Sequence, residues 1–245
     1  MRSIALAAAA VVITTATACA SHTTIPDADR IRLDRSLPGR TFYLRHSMYL
    51  GPFWSDAGKR YLTDVVPNEI AWVVNPAGEP MDPGAPAKVI PAGTRVRIVK
   101  LELPTGYTVT LRNPFLPRYN PWLYLEVEGH PRDPMPVMVL RDGLGSQAEI
   151  LAEIDRFLSK DDLTPILGQL SPEIRRAVEE KRVVAGMSSS EVAMAWGWPE
   201  RRTLSSSPDG KREDWTWPSG RRSAVIVGDR LTSWKGEAAQ VFADP

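Results

Sequence analysis

Residues 186–192, which read Gly-Met-Ser-Ser-Ser-Glu-Val, decide the fold of the C-terminal part of this 245-residue chain. Ser188 and Glu191 have the spacing of a capping box, in which two side chains satisfy backbone N–H groups at the start of a helix. The pattern predicts a helix that begins after Ser188. It ends near Gly197, because Pro199 blocks any extension.

Four strand-like runs follow this helix and are separated by short polar turns; they cover 201–204, 213–217, 222–227 and 230–234. Such spacing predicts an antiparallel meander. A second helix precedes the capping box. Ser171 caps it, and Pro172 occupies its first position, where the missing N–H has no cost. Residues 171–237 are therefore predicted to form a domain of two helices and a β-meander, followed by a tail over 238–245.

Residues 40–142 are predicted to form a small β-barrel-like domain. Six β-branched or aromatic runs alternate there with Pro and Gly, at 41–50, 69–74, 94–103, 107–111, 122–128 and 137–140. The stretch 75–91 holds five prolines, which excludes a central strand and predicts a long loop. Over 143–170 the period becomes helical and Ser146 begins a capping box, so this segment is predicted to be a linking helix. The predicted fold class is α+β.

Two parts of the chain resemble known families. Four C-terminal segments, at 186–192, 196–199, 215–217 and 225–231, resemble the SmpA/OmlA family, the small lipoprotein of the outer-membrane β-barrel assembly machinery. Trp196 and Trp217 stand where that family has leucine and tyrosine. The resemblance implies the helix pair and meander of an interaction module. More weakly, residues 90–99 and 121–127 resemble a bacterial Src-homology-3-like domain.

The N-terminus is predicted to be an export signal. Residues 1–18 join a basic start to an apolar stretch far shorter than the roughly 20 residues of a membrane-spanning helix. The ending Ala-Thr-Ala-Cys at 16–19 resembles the lipobox of bacterial lipoproteins, which implies acylation of Cys19. The small residues 18–20 also fit ordinary secretory cleavage, which leaves a soluble periplasmic or secreted protein that starts at Ser21. Cys19 is the only cysteine, so no disulfide partner exists within the chain.

The lipobox resemblance implies an anchor in the outer membrane, facing the periplasm, because Ala20 stands where an aspartate retains lipoproteins in the inner membrane. Residues 19–39 contain few large apolar side chains and are predicted to form a flexible tether, with a root-mean-square span of roughly 25 Å. Removal of the signal with Arg2 leaves 29 basic and 29 acidic side chains. This balance gives no electrostatic argument for binding of nucleic acid or of an anionic membrane surface.

The residue pattern does not predict an enzyme. An enzyme should combine a nucleophile, a base and an orienting group, or a set of metal ligands. The three histidines lack metal-ligand spacing; they are His22, His46 and His130. We therefore predict no catalytic residue, no metal and no cofactor apart from acyl chains on Cys19. An exposed cleft that joins His46 or His130 to a carboxylate would argue for an enzyme instead.

The eight tryptophans divide into two groups. Those expected to pack in the core beneath the meander are Trp196, Trp198, Trp215 and Trp217. The candidates for an exposed groove beside the proline-rich stretch are Trp54, Trp72 and Trp122. Such a groove would bind an extended peptide or a glycan.

These observations predict a non-enzymatic lipoprotein, anchored in the outer membrane, that acts as an interaction or scaffold module for envelope proteins. Two alternatives stay open. One is a peptidoglycan-binding module, in which the barrel domain holds the glycan. The other is an inhibitor of a periplasmic or secreted enzyme, which depends on fold analogy alone.

We expect the intact mass of the protein from isolated envelopes to show an acylated N-terminus at Cys19. The substitution Cys19→Ser should remove the acyl mass and shift the protein out of the detergent phase, because several acyl chains give stable anchoring. An unmodified N-terminus at Ser21 would contradict the lipid anchor and support simple secretion.

Overall fold

A computed structural model describes residues 23–66, 69–70, 72–75, 77–207 and 210–236. The predicted signal at 1–18, Cys19, His22 and the predicted tail at 238–245 lie outside these ranges. Over the described residues the fold is mixed α+β, with six α-helices, an eight-stranded sheet curled into a half-barrel and a four-stranded antiparallel sheet. No helix in this part of the chain is long and apolar enough to span a membrane.

The eight-stranded sheet belongs to the N-terminal unit, which we define as residues 23–159. Its strands are β1 (Thr41–Leu44), β2 (Met48–Pro52), β3 (Lys59–Thr63), β4 (Lys88–Ile90), β5 (Arg95–Glu102), β6 (Trp122–Val127), β7 (Met135–Val139) and β8 (Leu158–Ser159). They lie in the order β4-β2-β3-β7-β6-β5-β1-β8. All neighbours are antiparallel except β3 and β7. Along β5, Val96 and Ile98 face the core while Arg95 and Arg97 face water, the alternation of a half-buried strand.

Three helices complete this unit: α1 (Asp27–Ser36), α2 (Gly106–Leu111) and α3 (Gln147–Phe157). Leu33 of α1 and Ile150 and Ile154 of α3 are buried in one apolar cluster with the strands. The segment 143–170 is therefore not one linking helix. Its first part is α3 and β8, which complete the N-terminal core, and its last part is a separate short helix.

The prediction of a flexible tether is wrong for residues 23–39. Ile25, Leu33 and Leu37 are buried, and they fix α1 against the sheet and α3. These three apolar side chains are far apart in the sequence, so the local composition of the segment is polar. Their burial against distant parts of the chain supplies the apolar contact that local composition lacks.

Other differences in the N-terminal unit have local causes. The run 107–111 was expected to be a strand but forms α2, because the Thr105 side chain accepts the Thr108 N–H and caps a helix. The run 41–50 is broken into β1 and β2. Residues 69–74 contain no strand among those described, and Val74 makes only an isolated bridge to Pro80.

The C-terminal unit, residues 164–236, contains three helices and four strands, one helix more than the predicted pair. Its helices are α4 (Thr164–Gln169), α5 (Pro172–Glu179) and α6 (Ser189–Trp196), and its strands are β9 (Arg201–Ser207), β10 (Gly210–Thr216), β11 (Ser223–Val227) and β12 (Arg230–Lys235). The strands form an antiparallel meander in the order β12-β11-β10-β9. The Ser171 cap is present. The capping box of Ser188 and Glu191 is also present, and the helix ends at Gly197 as predicted.

A buried polar joint between Ser47 and Lys181 connects the two units. Lys181 Nζ donates to the carbonyl oxygens of Ser47 at 2.5 Å and of Ala195 at 3.2 Å. In return, Ser47 Oγ donates to the Val178 carbonyl at 2.5 Å and its backbone N–H donates to the Met194 carbonyl at 2.9 Å. Burial lowers the pKa of Lys181 to about 7. The loop between β1 and β2 is thus held between α5 and α6.

Gly197 allows the units to approach closely at the end of α6. Its backbone has a φ of +81°, and a Cβ at this position would lie 3.1 Å from Asp64 Oδ2 and 3.4 Å from the His46 ring. At Gly186 φ is +82°, but a Cβ there would meet nothing within 4 Å.

We expect Gly197→Ala to lower the free energy of unfolding by more than Gly186→Ala. A positive φ costs an alanine about 1–2 kcal/mol at position 186. At position 197 the backbone, with φ +81° and ψ 170°, is one that essentially only glycine adopts, and the methyl group there also crowds Asp64 and His46. Urea unfolding followed by tryptophan fluorescence measures both losses. Equal losses would contradict the close packing of the two units at this point.

Candidate binding cleft between the two units

A cleft of about 350 Å³ lies between the units, next to the joint. The N-terminal unit contributes residues after β3, at the end of β7 and on α3. The C-terminal unit contributes residues after α6 and after β10. The aromatic lining residues are Trp72, Phe157, Trp198 and Trp217, and the charged ones are Asp64, Glu69, Arg141, Glu153, Arg156 and Glu200.

Three indole rings line the cleft; Trp217 is buried, and the other two differ in exposure. Trp198 is 51% exposed and packs on the buried Trp215, with 5.4 Å between ring centroids. Trp72 is half-buried and packs against an apolar cluster of the N-terminal unit. Its Nε1 is buried and has no hydrogen-bond acceptor among the described residues. The cleft thus offers an apolar platform at Trp198, whereas the indole N–H of Trp72 is not accessible to a ligand.

The charged side of the cleft contains both signs. The buried Glu153 carboxylate accepts from Arg141 Nε at 3.0 Å and from Arg156 Nη1 at 2.9 Å, while both arginine side chains remain partly exposed. The Glu200 carboxylate is exposed and makes no ion pair or hydrogen bond within the described part of the chain. A ligand can therefore meet guanidinium groups on one wall and a free carboxylate on the other.

A second buried ion pair lies behind the wall. Glu69, which lines the cleft, is 3.3 Å from the Nε of the buried Arg222. The Arg222 guanidinium also lies 5.6 Å from the ring of Trp196 and 5.8 Å from that of Trp217. Such contacts stabilise a desolvated cation. The pair joins the loop after β3 to the start of β11.

His46 lies beside the cleft but does not line it. Its Nε2 is 3.6 Å from Asp64 Oδ2, and the residue is only 2% exposed. Burial lowers the pKa of His46 to about 4, although the Asp64 carboxylate opposes the shift. The ring is therefore next to a cleft carboxylate but has no surface from which to contact a substrate.

His130 lines a separate groove of about 300 Å³ together with Glu126 and Glu128. Both of these carboxylates are paired, with Arg97 and Arg95 respectively.

The three tryptophans proposed from sequence do not share one groove. Trp122 is 3% exposed, packs on Phe53 at 4.9 Å and donates to the Pro117 carbonyl at 2.8 Å, so it is a core residue. Trp54 is half-buried, packs on Phe53 with 5.2 Å between ring centroids and donates to the Met81 carbonyl at 3.1 Å. Of the three, Trp72 lines the cleft.

Sequence reasoning placed Trp198 in the core and did not identify Phe157 or Glu200 as site residues. The expectation for Trp198 is wrong, because the chain leaves the helix at Gly197 and directs the next side chain toward solvent. A signal was present in the sequence. Trp198 stands between a helix-ending glycine and a proline, outside the apolar stripe of α6.

Comparisons with protein-family models, with curated proteins and with solved structures gave no match to this chain. The class of protein is thus defined by geometry: two α+β units around an aromatic cleft of mixed charge. Within the described ranges, no group of three or more His, Cys, Asp or Glu side chains is arranged to hold a metal ion.

We expect His46→Leu to flatten the pH dependence of stability between pH 6.5 and about 4. The pKa of His46 is about 4 in the folded protein and about 6.5 in the unfolded chain. The unfolded state therefore binds the proton first, and stability falls as the pH drops through this window, by up to about 1.4 kcal/mol per unit. Urea titrations at pH 7, 5.5 and 4 measure the slope.

His130→Leu is the control for this experiment, because the ring of His130 is only half-buried. Its burial lowers the pKa in the same direction, so this variant should keep most of the slope. An unchanged slope in His46→Leu would contradict the burial of a neutral imidazole.

Proposed function

We propose that this chain is a non-enzymatic lipoprotein of the outer membrane, facing the periplasm, that binds envelope proteins in the cleft between its two units. The observation that carries the proposal is the exposed Trp198 ring, opposite the Glu153–arginine cluster and beside the free Glu200 carboxylate. The lipid anchor is supported by the lipobox resemblance at 16–19.

The family resemblances belong to this proposal. An SmpA/OmlA-like C-terminal unit is supported by the capping box at Ser188 and by the helix pair that precedes the four-stranded meander. A Src-homology-3-like N-terminal unit depends on the turn at 91–94 and on β6. The sheet of that unit has eight strands and is therefore larger than the small barrel that the resemblance implies.

The chemistry of the cleft suits a segment of a partner protein. Tryptophan and arginine are the side chains that contribute most to binding energy at protein interfaces. Trp198, Arg141 and Arg156 lie around one concave surface, whose volume of about 350 Å³ accommodates a few side chains. Arginines already fixed by Glu153 lose little conformational entropy when they meet a carboxylate of the partner.

Peptidoglycan is a second candidate, favoured by the same indole rings. Aromatic faces pack against the apolar faces of sugar rings, and the free Glu200 carboxylate can accept from hydroxyl or ammonium groups. Under this alternative the glycan occupies the cleft and not the N-terminal sheet alone. No particular contact favours the third possibility, an enzyme inhibitor.

We expect a photo-crosslinking amino acid at position 218, which lines the cleft, to give a discrete adduct with an envelope protein in intact cells. Trp198→Ala should reduce this adduct at least tenfold, because loss of a central interface tryptophan costs about 2 kcal/mol or more. The matched control is Trp234→Ala, since that ring is 41% exposed on β12 and does not line the cleft.

Sedimentation with purified sacculi completes the test. One outcome is that the protein sediments with sacculi while no protein adduct forms. If Trp198→Ala abolishes that sedimentation, the ligand of the cleft is peptidoglycan and not a protein. Absence of both the adduct and the sedimentation would contradict binding in the cleft. Far-UV circular dichroism of each variant verifies that the fold is retained.

A further inference from the structure

Three large apolar side chains project from α2 and the turn that follows it. Tyr107 is 75% exposed, Leu111 is 67% exposed and Phe115 is 65% exposed. Val109 of the same helix is 3% exposed and holds the inner face of α2 on the protein. The outer surface at α2 is thus apolar, although burial of these three side chains contributes nothing to the fold. Clustered exposure of this kind marks an interaction surface.

This apolar surface lies where the chain enters the folded structure. The Thr23 N–H donates to the Pro104 carbonyl at 2.8 Å, and Pro104 is two residues before the first residue of α2. Only four peptide units separate Thr23 from Cys19, and they span at most about 14 Å. Because α1 is folded onto the core, the predicted tether of roughly 25 Å does not separate these elements from an anchor at Cys19.

The charge of the segment is compatible with lipid headgroups. Residues 103–125 contain no Asp or Glu. The two cations in this range are held by the protein: Arg112 pairs with Glu102 at 2.8 Å, and Arg118 donates to the Val109 carbonyl at 2.6 Å. The segment itself thus carries no carboxylate. The Arg112 guanidinium is neutralised by Glu102, and the Arg118 guanidinium is held against a backbone carbonyl and keeps its charge, which suits an anionic headgroup.

The neighbouring surface of α1 continues the apolar area. Ile31 is 51% exposed and lines a shallow groove together with Thr105 and Thr108 of the α2 region. Arg30, Asp34 and Glu102 also line this groove. The charges of Arg30 and Asp34 oppose each other, and Glu102 is paired with Arg112. The net charge that this part of α1 adds is therefore small.

From these observations we propose that Tyr107, Leu111 and Phe115 form a docking surface that inserts into the headgroup region of the membrane beside the acyl anchor. The inference rests on the proposed acylation of Cys19. Tyrosine side chains favour the membrane interface, and leucine and phenylalanine form the apolar faces of helices that lie in it. The anchor already holds the protein at the bilayer, so a weak insertion suffices, because it acts at high effective concentration. Docking fixes the orientation of the protein on the membrane.

The test uses the cysteine content of the chain. Cys19 is the only cysteine, and acylation blocks its thiol, so Leu111→Cys in the acylated protein can be labelled selectively with nitrobenzoxadiazole. The labelled protein is reconstituted into phosphatidylethanolamine–phosphatidylglycerol vesicles, with or without lipids spin-labelled near the headgroup. We expect a blue-shifted emission and at least twofold quenching by the spin-labelled lipid. Leu204→Cys, on β9 and 56% exposed, should remain in water and serves as the control.

Each other outcome overturns a defined part of the inference. The intact mass of the same sample reports acylation independently, and an unmodified N-terminus would overturn the anchor and the docking together. An acylated protein whose label at position 111 remains in water would overturn docking and leave the anchor intact. A blue shift without quenching by the spin-labelled lipid would assign the surface to a second copy of the chain.

Discussion

Burial of the Lys181 side chain between the carbonyl oxygens of Ser47 and Ala195 is the interaction on which the arrangement of the two units depends. A fully buried ammonium group is costly, which is why its pKa falls to about 7. The cost is offset only while both acceptors stay in place and the Tyr49 ring lies 5.1 Å away. The joint therefore permits one relative position of the units.

The cleft depends on that position. One wall belongs to α3 and the loop after β3, and the other follows α6, whose end is packed against Asp64 and His46 at Gly197. The buried pair of Glu69 and Arg222 joins the same two parts. A ligand would thus meet a preformed surface, and its binding energy would not be spent on ordering the units.

Local signals made the C-terminal unit predictable, while long-range contacts determined the N-terminal one. The Ser188 capping box and the turns of the meander specify α6 and its sheet within short windows of sequence. The parallel pairing of β3 with β7 and the burial of Leu33 under α3 depend on residues far apart in the chain. The cleft was missed for the same reason, since Trp72 and Trp198 become neighbours only in the folded protein.

The same long-range contacts determine when the protein can fold. β1 pairs with β8, at the far end of the N-terminal unit, and the Lys181 bond to Ser47 spans 134 residues. Synthesis proceeds from the N-terminus. β1 therefore cannot pair with β8 until Leu158 has been synthesised, and the contact between the units cannot form until Lys181 has been synthesised. A high contact order of this kind slows folding. The nascent chain therefore stays open to chaperones and proteases until most of its length has been made.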